Sequence, residues 1–194
     1  MLRTVCVFCG SSIGTQPIHM RAAQGLGRLL SERQIGLVYG GANRGLMGVL
    51  ANACLEHGAR VLGVIPKALV EKEVAHRDLT KLYIVESMHE RKALMADLAD
   101  AFIALPGGYG TWEEFFEVLT WSQLGLHRKP CALLNLDGYY DHFLGMADRA
   151  VEEGFLRELH RKLLVSDTDP GCLLDRLSKC PVPAVDKWID ASTR

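Results

Sequence analysis

No excess of basic residues marks this 194-residue chain: 22 Lys and Arg stand against 23 Asp and Glu, a formal charge of −1 at neutral pH. A nucleic acid is therefore not its main partner, because phosphate backbones are held by clustered positive charge. No apolar run approaches the roughly 20 residues that a helix needs to cross a bilayer. Gly, Pro or a charged residue interrupts each one, so no membrane partner is expected. The stretch Met1-Leu2-Arg3 leads directly into Thr4-Val5-Cys6-Val7-Phe8 with no small-residue cleavage signal. It reads as a first strand, and the expected compartment is the cytoplasm. Cysteine is sparse, six in all, with one CxxC at Cys6 and Cys9. Positions three apart on a strand face opposite ways, so these thiols should diverge. No second CxxC or histidine cluster completes a zinc site, and the sequence predicts no metal.

Two phosphate-binding motifs are also missing. There is no GxxxxGKS or GxxxxGKT, which argues against a P-loop nucleoside triphosphatase. The first strand-to-helix turn is not GxGxxG, and no acid follows about twenty residues on to hold a ribose. A dinucleotide cofactor is disfavoured, and no cofactor is expected.

Nearly half of the residues are apolar, at 48%, and they fall into a regular alternation. Short strand-like runs at 3–9, 35–39, 60–65, 82–85, 101–105, 131–136 and 163–166 alternate with amphipathic stretches at 17–33, 45–57, 88–99, 111–124, 139–153 and 170–178. Residues 67–81 have no clear period and read as a loop. Such alternation predicts an α/β fold: a Rossmann-like, doubly wound parallel sheet with right-handed crossovers and helices on both faces. One domain over residues 1–180 is expected, with 181–194, which contain two prolines, as an extended tail.

In such sheets ligands bind beyond the carboxyl ends of the strands. Three glycine-rich turns lie there: Cys9-Gly10-Ser11-Ser12, Gly40-Gly41-Ala42-Asn43-Arg44-Gly45, and Pro106-Gly107-Gly108-Tyr109-Gly110-Thr111. Glycine lets backbone approach a ligand closely, and the free N–H groups of the following helix favour an anion. One such turn is explained by tight chain reversal alone. Three at one sheet edge, with Ser11, Ser12 and Thr111 present, point to a phosphate-bearing ligand, and Thr111 suits a helix N-cap or a phosphate contact.

The helix after Gly110 puts Glu113, Glu117 and Thr120 on one polar stripe, whereas Glu114 aligns with Val118 and Trp121. A partly buried carboxylate beside a phosphate loop is a candidate catalytic group. The same helix is apolar almost all round, so its second face is expected to meet another subunit. In Met88-His89-Glu90-Arg91-Lys92, Arg91 shares a face with Leu94, Met95 and Leu98 and must find an anion there. Spacing alone turns Lys92 outward. A surface or capping role for His89 is as good a reading as an acid–base one.

The run from Pro106 to Glu114 resembles the PGGxGTxxE signature of the Lonely Guy (LOG) family, and residues 88–92 resemble that family's second signature. Gly45-Leu46-Met47-Gly48 and Leu119-Thr120-Trp121-Ser122-Gln123-Leu124-Gly125 also fit, and the likeness extends over about residues 3–178. The resemblance implies a homodimeric phosphoribohydrolase that splits a nucleoside 5′-monophosphate into free base and ribose 5-phosphate. Its substrates would be cytokinin riboside monophosphates or AMP. It implies Arg91 and Glu114 as the catalytic pair and Gly107, Gly108, Tyr109, Gly110 and Thr111 as the phosphate loop. Ser11, Ser12, Gly41, Glu73, Lys92, Glu113 and Thr120 would be further substrate contacts. Two other readings are a non-catalytic nucleotide-binding module and a pyridoxal-phosphate-dependent lysine decarboxylase. The second needs a suitably placed buried lysine.

Overall fold

The computed structural model describes residues 2–70, 72 and 75–179. Seven strands form one all-parallel sheet: β1 (Thr4–Phe8), β2 (Gly36–Tyr39), β3 (Val61–Pro66), β4 (Lys81–Val85), β5 (Ala101–Ala104), β6 (Cys131–Leu134) and β7 (Leu164–Asp167). Their order across the sheet is β4-β3-β2-β1-β5-β6-β7. The direction of winding reverses between β1 and β5, where Val5 pairs with Ala101 and Phe8 with Ala104.

The helices are α1 (Pro17–Glu32), α2 (Gly45–Glu56), α3 (Met88–Leu98), α4 (Tyr109–Gln123), α5 (Asp141–Glu152), the single turn α6 (Glu158–Arg161) and α7 (Pro170–Lys179). Alternate strand residues feed two separate cores. Val5, Val7, Leu37 and Tyr39 pack against α1, α2 and α7. Cys6, Phe8, Val38 and Phe102 pack against α3, α4 and α5. The sheet is thus covered on both faces, as its near-continuous apolar strands require. Cys6 and Cys9 fall into different cores, so the CxxC thiols do diverge.

The alternation read from sequence holds, with local differences. Helix α4 starts two residues earlier than its apolar period indicates, because Gly108 is extended (φ −96°, ψ −155°) and takes the N-cap position. Thr111 is therefore inside the first turn and is not the cap. Helix α5 starts at Asp141, later than expected, since a 3-10 turn at Leu136–Gly138 intervenes with Asp137 in left-handed conformation (φ 50°, ψ 37°). A further 3-10 turn, Lys67–Leu69, follows β3 in the segment expected to be loop. The single turn α6 is too short to show an apolar period. The expected tail at 181–194 lies outside the described residues. Among those described, no helix is long and apolar enough to cross a membrane.

Candidate active site

The ends of β1 and β5 meet at the reversal of strand order, which is where a parallel sheet opens a crevice. Gly10 donates its N–H to the carbonyl of Pro106 at 3.1 Å, which ties the first glycine turn to the third. The N–H of Leu46, at the start of α2, reaches the carbonyl of Gly10 at 3.0 Å and brings in the second turn. A side chain on Gly107 would lie 2.7 Å from Thr111 Cβ and 2.9 Å from Gly10 N, so only glycine permits this crossing.

Two adjoining cavities result. The first, about 310 Å³, is lined by Cys9, Gly10, Ser11, the apolar side chains of Met47, Leu69 and Met88, then Arg91, residues 108–111, Glu113 and Glu114. The second, about 460 Å³, shares Gly10, Ser11 and Gly108 with it and extends past Ser12 and Thr15 to His19 and Tyr139.

Arg91 and Glu114 come together at the first cavity. The Arg91 side chain is 6% exposed and that of Glu114 13%, with Nη2 and Oε1 3.9 Å apart. Helical phase had separated Glu114 from Glu113, whose side chain is 56% exposed. Nη2 of Arg91 also donates to the carbonyl of Gly40 at 3.2 Å, and Nη1 lies 3.7 Å from Met88 Sδ. Its buried Nε has no hydrogen-bond partner among the described residues, which leaves one donor unused beside the cavity. Burial, and secondarily the nearby Glu114 carboxylate, holds the Cys9 thiol well above its ordinary pKa, which favours the neutral thiol over the thiolate.

The start of α4 is as open as that of α3 is closed. Ser87 caps α3 by accepting from the Glu90 N–H at 3.1 Å. No such side-chain bond caps α4. Its first-turn N–H groups, which have no intrahelical partner, are left beside the cavity that Gly108, Tyr109, Gly110 and Thr111 line.

Lys92 corrects the outward orientation that spacing assigns it. It is buried, and its Nζ reaches Glu113 Oε1 at 2.5 Å and Glu117 Oε2 at 3.1 Å. It shares the inner face of α3 with Met95, Ala96 and Ala99, opposite the acidic stripe of α4. Burial pulls its pKa down, but the hydrogen bonds and charges of the two carboxylates outweigh that and leave it raised. The acidic i, i+4 pair on α4 was the available signal for a buried cation facing it.

The other sequence-derived positions divide. Ser11 borders both cavities and Ser12 the second, where its hydroxyl accepts from the Gly14 N–H at 3.3 Å. Gly41 does not reach either cavity. It sits behind the turn at φ +78°, facing Leu82 and Ile65, and its neighbour Gly40 is the one against Arg91. Thr120 lies nine residues along α4 from Thr111, about 13 Å at the helical rise. It lines an apolar groove of about 480 Å³ with Phe116, Leu119, Phe143, Met146 and Phe155. Glu73 is outside the described residues. Sequence reasoning did not single out Gly40, Met47, Leu69, Met88 or Tyr139. An apolar residue in a turn has no periodic signal, and Leu69 reaches the site only through the 3-10 turn.

The family described as "possible lysine decarboxylase" matches residues 47–177 of this chain. A cytokinin riboside 5′-monophosphate phosphoribohydrolase of Arabidopsis thaliana is 54% identical over 177 residues, 91% of this chain and 82% of that protein. One of Oryza sativa subsp. japonica is 53% identical over 164 residues, 84% of this chain and 68% of that protein. Among solved structures, a molybdenum cofactor binding protein from Rippkaea orientalis aligns with TM-score 0.69 at 19% identity, covering 92% of this chain and 97% of that one. At that identity the likeness speaks to the fold alone.

Proposed function

The chain belongs to the Lonely Guy (LOG) family, and on that premise we propose that it hydrolyses the N-glycosidic bond of a purine nucleoside 5′-monophosphate, releasing the base and ribose 5-phosphate. The observation that carries this is the buried Arg91–Glu114 pair beside the uncapped start of α4. Pure anion binding gains nothing from a carboxylate 3.9 Å from the arginine. Hydrolysis does gain. As the C1′–N bond breaks, positive charge develops at the anomeric carbon, and a fixed carboxylate stabilises it. Water supplies the hydroxyl to C1′, and the departing base takes up the proton.

In this reading Glu114 faces the anomeric carbon, while Arg91 orients Glu114 and assists the leaving base. The N–H groups of residues 108–111 hold the phosphate, so binding energy at the far end positions the bond to be cut. Met47, Leu69 and Met88 supply an apolar wall for the purine. The named activity of the plant relatives favours a base of the cytokinin type, with AMP as the simplest member of the class. Lys92 and Glu113 act here as a tie between α3 and α4.

A Schiff-base decarboxylase is disfavoured on geometry. No lysine lines the cavity among the described residues, and Lys92 is engaged by two carboxylates. The proposal includes a homodimer in the cytoplasm, formed by a second copy covering the apolar groove that Phe116, Phe143 and Phe155 line; light scattering on the purified chain tests the dimer. The activity is tested by incubating the protein with a panel of nucleoside monophosphates and measuring free base. Equal turnover of adenosine and AMP would sink the phosphate-anchor argument, and no base release from any member would sink the hydrolase.

A further inference from the structure

The segment after β6, Asn135-Leu136-Asp137-Gly138-Tyr139-Tyr140-Asp141, is a tightly pinned turn. The Asn135 side chain donates to Asp141 Oδ1 at 2.7 Å and accepts from the Tyr140 N–H at 2.7 Å. Asp137 is held at φ 50°, a conformation that L residues avoid, and Gly138 follows at φ 70°. Strain of this kind persists only where surrounding contacts enforce it. Its product here is two adjacent tyrosines aimed at the third glycine turn. Tyr140 donates to the carbonyl of Leu105 at 2.7 Å, and Tyr139 to the carbonyl of Gly107 at 2.5 Å. The Tyr139 ring is steadied edge-on by His19 at 6.0 Å and by Tyr140 at 4.9 Å between centroids.

A trans peptide is planar, with its carbonyl and N–H pointing in opposite directions. Holding the Gly107 carbonyl therefore aims the Gly108 N–H. Tyr139 and Gly107 line the second cavity, whereas Gly108 also lines the first, beside Arg91 and Glu114. With glycines at both 107 and 108, no side chain resists rotation of this peptide. We infer that Tyr139 is a positioning residue for phosphate recognition: its hydroxyl locks the Gly107–Gly108 peptide so that the Gly108 N–H points at the ligand phosphate in the catalytic cavity. This rests on the reading of residues 107–111 as the phosphate loop.

Tyr140 provides an internal control. The residue after Leu105 is Pro106, which has no N–H, so holding the Leu105 carbonyl aims no donor at anything. The test compares wild type, Tyr139→Phe and Tyr140→Phe by calorimetric Kd for ribose 5-phosphate, by KM and kcat for AMP, and by Tm. In Tyr139→Phe, Kd and KM should weaken together by about tenfold, the loss of one charge-assisted hydrogen bond, with kcat changed by less than about twofold. In Tyr140→Phe, Tm should fall while Kd stays within about twofold of wild type. An unchanged Kd in Tyr139→Phe overturns the inference, and so does equal weakening in Tyr140→Phe, which would reduce both to structural ties. If wild type binds ribose 5-phosphate but frees no base from any member of the nucleoside monophosphate panel, the hydrolase reading fails while the Kd comparison still decides the role of Tyr139. If wild type does not bind ribose 5-phosphate, the phosphate-loop reading and the role of Tyr139 fall together.

Discussion

Gly40→Ala should silence the enzyme without unfolding it. The backbone at Gly40 is not in the left-handed region, so alanine is conformationally acceptable there. The added methyl would nevertheless overlap Arg91 Nη2, and it would stand 3.2 Å from Arg91 Cζ and 3.3 Å from Met47 Sδ. Restoring ordinary contact means moving the guanidinium by roughly 1 Å or more, and under the role proposed for Arg91 a displacement of that size costs on the order of 10²-fold in rate. The shift would also stretch the 3.2 Å bond to the Gly40 carbonyl and the 3.9 Å approach to Glu114. In free-energy terms the expected loss is about 2.7 kcal/mol in kcat/KM. The assay is adenine release from AMP, accompanied by circular dichroism and thermal melting. Gly41→Ala is the matched contrast: at φ +78° and packed against Leu82 and Ile65, it should cost stability by about 1–3 kcal/mol and affect rate less. A folded Gly40→Ala protein with near-wild-type kcat/KM would refute the claim that Arg91 must sit where it does.

Glu114→Gln keeps the shape but removes the charge, and should lower kcat for base release by about 10²–10³-fold with Tm little changed; near-normal turnover would end its assignment. Lys92→Met leaves Glu117 facing a buried interface without its cation, which should cost about 1–3 kcal/mol, or roughly 3–10 °C in Tm; an unchanged melt would show the tie to be idle. Acidification should destabilise the fold through His76 and His127, whose pKa values are lowered chiefly by burial. His76 faces Asn52 Oδ1 at 2.8 Å and accepts from the Asp78 N–H at 3.2 Å, and His127 accepts from the Lys129 N–H at 3.1 Å. The unfolded chain therefore binds more protons than the fold just below their ordinary value of about 6.5, and the stability they contribute is complete above that value and is lost as pH falls from it through the lowered folded values. Melting from pH 7.5 down to 5.5 checks this: Tm should drop, less steeply in His76→Gln, and a Tm that rises on acidification contradicts the assignment.

The layered fold was legible because parallel strands covered on both faces must be apolar throughout and their helices must carry one apolar stripe. That logic reached the divergence of Cys6 and Cys9 and the choice of Glu114 over Glu113. It failed at Lys92, where periodicity treats charge as a mark of the surface and cannot see two carboxylates waiting on another helix. Gly41 was preferred over Gly40 because sequence shows that a turn needs glycine but not which one faces a guanidinium. Tyr139 was read as the start of a helix: Asp137-Gly138 marks a turn just before it, but nothing local shows which carbonyl the tyrosine hydroxyl reaches. Thr120 was assigned by membership in a motif, and the rise of α4 carries it out of reach. The misses at Lys92, Gly40 and Tyr139 share a cause: each depends on a contact between segments far apart in the chain.

The pairing of β1 with β5 joins residues nearly a hundred positions apart, with the Asp100 carboxylate accepting from the N–H groups of Arg3 and Thr4 at 2.9 Å each. Closing so long a loop is entropically slow. The two halves of the sheet can each gather local helices early, but the crevice with Arg91 and Glu114 exists only once these central strands meet. The crevice is thus a product of this long-range closure and belongs to neither half of the sheet alone.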